Sequence, residues 1–273
     1  MKFGKEDIPA YHFSPLPDAR LWTDRSASAF KVFIGSTNWT ERYWKDNLYP
    51  PGTKPSMYLN LYSRTFNCIE LNTTFYRTPD SEQVIKWKEQ TPDGFRFCPK
   101  VNSRISQSRL LGMDSNGWES FWDSMSHFGD QLGSCFLQLP EFFDESRRTA
   151  LFELITGQWV RPGLMIELRH ASWFKDLSLM NDLCQLLAGR QCGLVITDTP
   201  GRQDVRHLEI CSHSLLVRYV SDGNEINDKM RLEDWKKNIA NLRKEAAVQF
   251  IFHHPDASVM IRCAKEWNNY FNS

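Results

Sequence analysis

Eight short apolar runs recur along the chain at intervals of about 30 residues, and this recurrence constrains the fold more than any other feature. They are FKVFIG, NCIELN, FRFCPK, SCFLQL, GLMIELR, GLVITD, SLLVRYV and VQFIFHH, ending at Gly35, Asn72, Lys100, Leu139, Arg169, Asp198, Val220 and His254. Each is apolar nearly throughout, which suits a strand covered on both faces. Amphipathic stretches lie between them: KPSMYLNLYSRTF with Pro55 in its first turn, SEQVIKWKEQ with Ser81 as N-cap, WESFWDSMSHFGDQLG ending at Gly133, DESRRTALFELI, LSLMNDLCQLLAGR, RLEDWKKNIANLRKEA and DASVMIRCAKEWNNYF. The step from Asp198 to Ser214 carries no clean helix, so a degenerate sixth crossover is expected there. The pattern predicts an α/β chain of the (β/α)8 TIM-barrel class. A doubly wound open sheet is the runner-up, but it wants a Gly-rich turn after the first strand, and IGSTNW is not one. Residues 1–28, with Pro9, Pro15 and Pro17, read as an irregular N-terminal extension, and 29–273 as a single barrel domain.

Composition narrows the function classes. Lys plus Arg and Asp plus Glu balance at 33 each, so net charge points neither to nucleic acid nor to a membrane surface. No apolar run approaches the roughly 20 residues of a membrane helix, and MKFGKEDIPAYHF has no secretory h-region. The seven Cys are scattered, odd in number and without a Cys-x-x-Cys, which fits reduced thiols in a cytoplasmic protein.

In a barrel of this class, chemistry gathers at the C-terminal ends of the strands, and polar residues collect there in this chain. Glu70 and Asn72 end the second strand, Lys100 the third, Gln138 the fourth, Glu167 and Arg169 the fifth and Asp198 the sixth. Arg218 falls in the seventh, and His253 and His254 end the eighth. Glu167 and Arg169 are two apart and so share a face, whereas of the adjacent histidines at most one faces a pocket. A structural ion-pair network joining Glu167 and Arg169 to Lys100 and Glu70 is the plain alternative for these groups, yet seven of eight runs carrying groups costly to bury at or near their ends exceed what a core needs. Trp39, Trp44, Tyr76 and Trp173 follow strand ends and suit either loop packing or an aromatic rim.

IGSTNWTERYWKDNLYPPGTK, IELNTTFYRTP, TPDGFRFCPK, FLQLPEFF, IELRHASWF and VITDTP together resemble the domain-of-unknown-function-72 family, the YecE-like barrels, in order from about Phe30 to Pro200. Trp39, Trp44, Tyr49 to Gly52, Glu70, Asn72, Phe75, Tyr76, Lys100, Gln138, Glu167, Arg169, His170, Trp173 and Asp198 fall on the family pattern. The chain departs from it at Asn38, in place of a glycine, and at Ser106-Gln107, in place of Thr-His. It departs again after Arg218, where Arg-x-His-Gly reads RYVS up to Ser221, and at His253-His254, in place of an Asn pair. The resemblance implies a TIM barrel and brings no activity with it.

Two function classes follow. In the first, the chain is a hydrolase or lyase acting on a small anionic or phosphorylated substrate. Lys100, Arg169 and Arg218 hold the anion, Glu70 or Glu167 serves as general acid or base, and Asn72, Gln138, Trp39, Tyr76 and Trp173 complete the substrate site. No cofactor is specified. A divalent-metal variant uses Glu167, Asp198 and His253 or His254 as ligands. In the second, the same pocket is a non-catalytic binding module for a nucleotide, a sugar or a nucleic-acid end. A purely structural role leaves the strand-end polar set unexplained. Substrate identity and oligomeric state are not encoded in any motif of the chain.

Overall fold

The computed structural model describes residues 14–22, 31–40, 42–242 and 247–272. All eight apolar runs become strands: β1 (Val32–Ser36), β2 (Cys68–Leu71), β3 (Arg96–Pro99), β4 (Cys135–Gln138), β5 (Leu164–Glu167), β6 (Gly193–Asp198), β7 (Ser214–Val220) and β8 (Ala247–His253). The sheet is parallel and runs β3-β2-β1-β8-β7-β6-β5-β4. Strands β1 and β8 pair from Val32 opposite Val248 to Ser36 opposite Phe252, joining the two ends of the chain. The remaining seam, between β3 and β4, is bridged at Phe97–Leu132 and Lys100–Phe136. There the Gly133 N–H donates to Phe97 O at 2.7 Å and the Val101 N–H to Phe136 O at 2.8 Å. The result is a nearly closed eight-stranded parallel barrel, not a doubly wound open sheet.

The crossovers supply helices α1 (Tyr58–Tyr62), α2 (Ser81–Glu89), α3 (Gly117–Ser126), α4 (Arg148–Thr156), α5 (Leu177–Gly189), α6 (Glu225–Asn241) and α7 (Ala257–Asn272). Two expectations at helix starts are corrected. The cap of α2 is Asp80, whose carboxylate accepts the Gln83 N–H at 2.9 Å, and Ser81 is the first helical residue. Both residue types cap well, and the anion also complements the helix N-terminus. Helix α6 starts at Glu225 rather than near Arg231, capped by the Asn224 side chain. Its polar opening, EINDKM, has no apolar stripe to signal a helix. The expected end of that segment, at residues 243–246, lies outside the described residues. Among the described residues no helix is long and apolar enough to cross a membrane.

The sixth crossover is degenerate, as the sequence predicts. It consists of a 3-10 stretch at Pro200–Val205 and a two-residue strand, Glu209–Ile210, which pairs with Arg20–Leu21. His207 anchors it from a buried position: its Nε2–H donates to Val195 O at 3.2 Å and its Nδ1 accepts the Glu209 N–H at 3.2 Å. One neutral tautomer satisfies both bonds, and burial pushes its pKa down to about 4. The Leu16 N–H donates to Asp234 Oδ2 at 2.7 Å, which holds residues near the start of the chain against α6. The expected domain boundary near residue 28 falls within 23–30, outside the described residues.

The barrel interior is built in layers. Phe33, Cys68, Cys98, Phe136, Met165, Val195, Leu216 and Ile251 form one apolar cluster, with one residue from each strand. A larger cluster, containing the outward strand residues, packs them against the helices. Side chains alternate along a strand. The residue two places beyond each cluster member therefore faces the same interior, nearer the C-terminal mouth. Those residues are Gly35, Glu70, Lys100, Gln138, Glu167, Thr197, Arg218 and His253. The core thus ends in a polar layer.

Candidate functional site

Arg218 organises the polar layer. Its Nε and Nη2 donate to Glu70 Oε2 and Oε1 at 2.8 and 3.0 Å. Its Nη1 donates to both Glu167 oxygens at 3.0 and 2.9 Å. One guanidinium thereby joins carboxylates from two strands in the fork geometry that suits it. Gln138 Nε2 also donates to both Glu167 oxygens, at 2.9 and 2.8 Å. Asn72 Nδ2 donates to Glu70 Oε1 at 2.9 Å, and His253 Nε2 lies 3.4 Å from Glu70 Oε2. Glu70, Glu167 and Arg218 are all buried. Burial alone would raise the Glu70 carboxyl, but Arg218, with His253 behind it, outweighs burial and holds its pKa well below the ordinary value. For Arg218 the two carboxylates outweigh burial and raise its pKa.

Above this layer opens a pocket of about 610 Å3, and Asn72, Lys100, Gln138, Arg169, Phe75 and Tyr76 are among its walls. Lys100 is fixed at both ends. Its backbone N–H donates to Leu71 O at 3.2 Å and its carbonyl accepts the Thr74 hydroxyl at 2.7 Å. Its Nζ donates to Gln138 Oε1 at 2.7 Å and lies 4.3 Å from the centre of the Phe75 ring. Among the described residues Lys100 forms no ion pair, because the nearby carboxylates of Glu70 and Glu167 are bonded to Arg218. Burial, followed by the charge of Arg218, lowers its pKa to about 8. Arg169, beyond the end of β5, reaches the pocket and pairs with Glu141 at 2.7 Å.

The structure therefore brings together Glu70, Asn72, Lys100, Gln138, Glu167, Arg169, Arg218, His253 and Tyr76, but on two levels. Glu70, Glu167 and Arg218 form the buried lower level and are not among the pocket's walls. The plain ion-pair alternative is present in altered form, since the partner of both glutamates is Arg218 and not Lys100. Asp198 is corrected: it lies one residue past the inward-facing Thr197 and points at α6. There its Oδ2 accepts the Trp235 indole N–H at 2.8 Å and its Oδ1 lies 3.1 Å from Arg231 Nη2. The metal set of Glu167, Asp198 and His253 is therefore not assembled. Nor does His254 complete it, since its Nε2 lies 3.4 Å from Asp228. Among the described residues no three His, Cys, Asp or Glu side chains are grouped to hold a metal ion.

Trp173 is also corrected. It is fully buried, donates its indole N–H to Phe143 O at 2.8 Å and stacks on the Phe143 ring, so it packs a loop. Trp44 is likewise core, and half-buried Trp39 packs edge-on against Trp87. The aromatic edge of the pocket is instead Tyr76 and Phe142, both exposed. Sequence reasoning missed Thr197, Phe142 and Glu141 as neighbours of the site. Counting by twos from Val195 would have found Thr197, whereas Glu141 and Phe142 lie in a loop with no periodicity to follow. The departures from the family pattern also fall near polar groups. Asn38 and Gln107 line the pocket, and the Ser221 hydroxyl donates to Asp228 Oδ2, the carboxylate that His254 faces.

An eight-stranded parallel barrel with a polar layer at the C-terminal strand ends is a TIM-barrel-like α/β protein, with its candidate site where that fold concentrates chemistry. The chain belongs to the family described as Protein of unknown function DUF72, whose model matches residues 33–272. It is similar to UPF0759 protein YecE of Escherichia coli (strain K12), at 26% identity over 243 residues covering 82% of this chain and 87% of that one. It is also similar to UPF0759 protein YunF of Bacillus subtilis (strain 168), at 27% identity over 150 residues and 52% of each chain. Two solved structures share the fold. The DUF72 family protein EF0366 of Enterococcus faecalis V583 superposes with a TM-score of 0.68 at 20% identity, covering 89% of this chain and 98% of that one. TM1631 of Thermotoga maritima MSB8, another DUF72 family protein, gives 0.68 at 19%, covering 89% and 100%.

Proposed function

We propose that the chain is a hydrolase or lyase acting on a small anionic substrate bound in the pocket between Lys100 and Arg169. The observation that carries this reading is that a buried amine and a guanidinium open on one pocket while the carboxylates beneath are bonded to a third cation. Arg169 suits the anion, since a planar fork matches carboxylate or phosphate oxygens. Lys100, with its pKa near 8, suits proton transfer close to neutral pH. Glu70 and Glu167 are positioning residues in this reading. Glu70 is held ionised and so has no proton to give at neutral pH, and Glu167 orients Gln138 toward Lys100. A module that only bound an anion would gain nothing from an amine poised near its ionisation point. The seven cysteines, all free and buried, support a reducing, cytoplasmic setting.

The test is titration of the wild-type chain, Arg169→Met and Lys100→Met with inorganic phosphate and acetate by calorimetry, with Lys86→Met as an exposed control. Saturable binding is expected in the wild type and in the control, weakened about tenfold or more in each pocket variant. Equal binding by all four proteins, or none by any, would remove this reading.

A further inference from the structure

We infer that Lys100 acts as a nucleophile, forming an imine with a small carbonyl compound that carries a carboxylate or phosphate. This deepens the reading above and rests on it: Arg169 holds the anionic group, and the carbonyl lies over Nζ. The geometry argues for an amine and against a fixed cation. A lysine kept for its charge sits beside a carboxylate. Here the Glu70 oxygens accept from Arg218 and Asn72, with His253 Nε2 3.4 Å away, and the Glu167 oxygens accept from Arg218 and Gln138. Lys100 Nζ meets a neutral amide oxygen and the face of Phe75. Burial first and Arg218 next disfavour the ammonium form, with Arg169 adding a little, and together they outweigh the opposing charges of Glu167 and Glu70. Desolvation together with a neighbouring cation is the environment that leaves a lysine nucleophilic. The surrounding backbone bonds and Gln138 hold the amine in place, as a covalent step requires.

The step balances without a co-reactant. The Nζ lone pair attacks the carbonyl carbon and the C=O π pair moves to oxygen. A proton then passes from nitrogen to that oxygen through water. The carbinolamine expels water as the C=N bond forms, so amine plus carbonyl compound gives imine plus water. An imine drains electrons from the bond next to it, which makes this a lyase chemistry rather than a hydrolytic one.

Trapping tests the inference. The full chain is incubated separately with pyruvate, glyoxylate and dihydroxyacetone phosphate, each with sodium borohydride, across pH 6 to 10, and the modified peptides are mapped by mass spectrometry. The expected result is one reduced adduct on Lys100 from at least one probe, rising with pH through the ionisation of the amine. It should be absent in Lys100→Arg and cut at least tenfold in Arg169→Met. Adduct from pyruvate or glyoxylate alone assigns a carboxylate substrate; adduct from dihydroxyacetone phosphate alone assigns a phosphate. Adducts scattered over surface lysines equally in wild type and Lys100→Arg would overturn the inference. So would calorimetric binding of these probes without an adduct, which leaves the anion site standing. Neither binding nor adduct would overturn both.

Discussion

Lys100 is folded into a place where its charge is disfavoured, and the consequence is measurable without a substrate. Its pKa stands at about 8 in the fold, against 10.5 ordinarily. Between those values the unfolded chain binds a proton that the native chain does not, so native stability rises with pH across that window. Below pH 8 the native state carries a protonated amine at a cost on the order of 3 kcal/mol. Lys100→Met removes that cost but leaves Gln138 Oε1 without its donor, a loss of about 1–3 kcal/mol at any pH. The expected outcome is a melting-temperature difference, variant minus wild type, that is more positive near pH 6.5 than near pH 10. A difference that does not change with pH would show that Lys100 keeps its ordinary ionisation in the fold. No residue pattern announces this behaviour. Lys100 was legible as a strand-end cation, but its pairing with an amide depends on Gln138 being 38 positions away.

At the scale of strands and helices, the sequence was legible wherever burial alone decides. Eight runs covered on both faces must be apolar, and all eight became strands. It was illegible wherever two adjacent residues differ only in facing. Asp198 was the last polar residue of its run, but alternation from Val195 turns Thr197 inward and Asp198 toward α6. Trp173 and Tyr76 looked alike because large aromatics serve cores and rims equally, and their neighbours in space decide which. Spacing puts Glu167 on one face with Arg169, while its partner is Arg218, 51 positions on. Gly35 lies where β1 meets β2, opposite Cys68. A Cβ there would sit 2.2 Å from the Cys68 carbonyl oxygen and 2.9 Å from its sulfur. Backbone cannot give way as a side-chain end can, so Gly35→Ala is expected to cost about 2–3 kcal/mol or more by forcing the strands apart. Gly189→Ala, at the end of α5 with nothing within 4 Å of a new Cβ, should stay within about 0.5 kcal/mol of wild type. Urea denaturation of the two variants checks the contrast, and equal costs would mean the β1–β2 contact is looser than it stands.

Over the whole molecule, the Glu70–Arg218–Glu167 link ties three strands that are not neighbours. In the sheet, β1 and β8 separate β2 from β7, and β6 separates β7 from β5, so the guanidinium reaches across the barrel interior. Barrel strands already pair with their neighbours, and the link adds a constraint the sheet lacks. It is also a constraint between buried charges, and the attraction of such a set barely repays its desolvation. Removing one member should therefore hurt more than removing all three. Arg218→Met leaves two buried carboxylates without their cation, for an expected loss of about 3–5 kcal/mol near pH 7.5. In the wild type the Glu70 carboxyl is held well below its ordinary value, so its contribution is present at neutral pH and is lost on acidification. In Arg218→Met the order reverses for Glu70: burial, no longer opposed by the guanidinium, favours its protonated form, and the loss relative to wild type should shrink near pH 5. The triple variant Glu70→Met, Arg218→Leu, Glu167→Met should recover much of the stability at pH 7.5, because none of the three linked charges is left to desolvate. Urea midpoints at the two pH values decide the matter. A single variant that loses the same at both, or a triple variant no more stable than the single, would show that the loss does not come from buried carboxylates left without their cation.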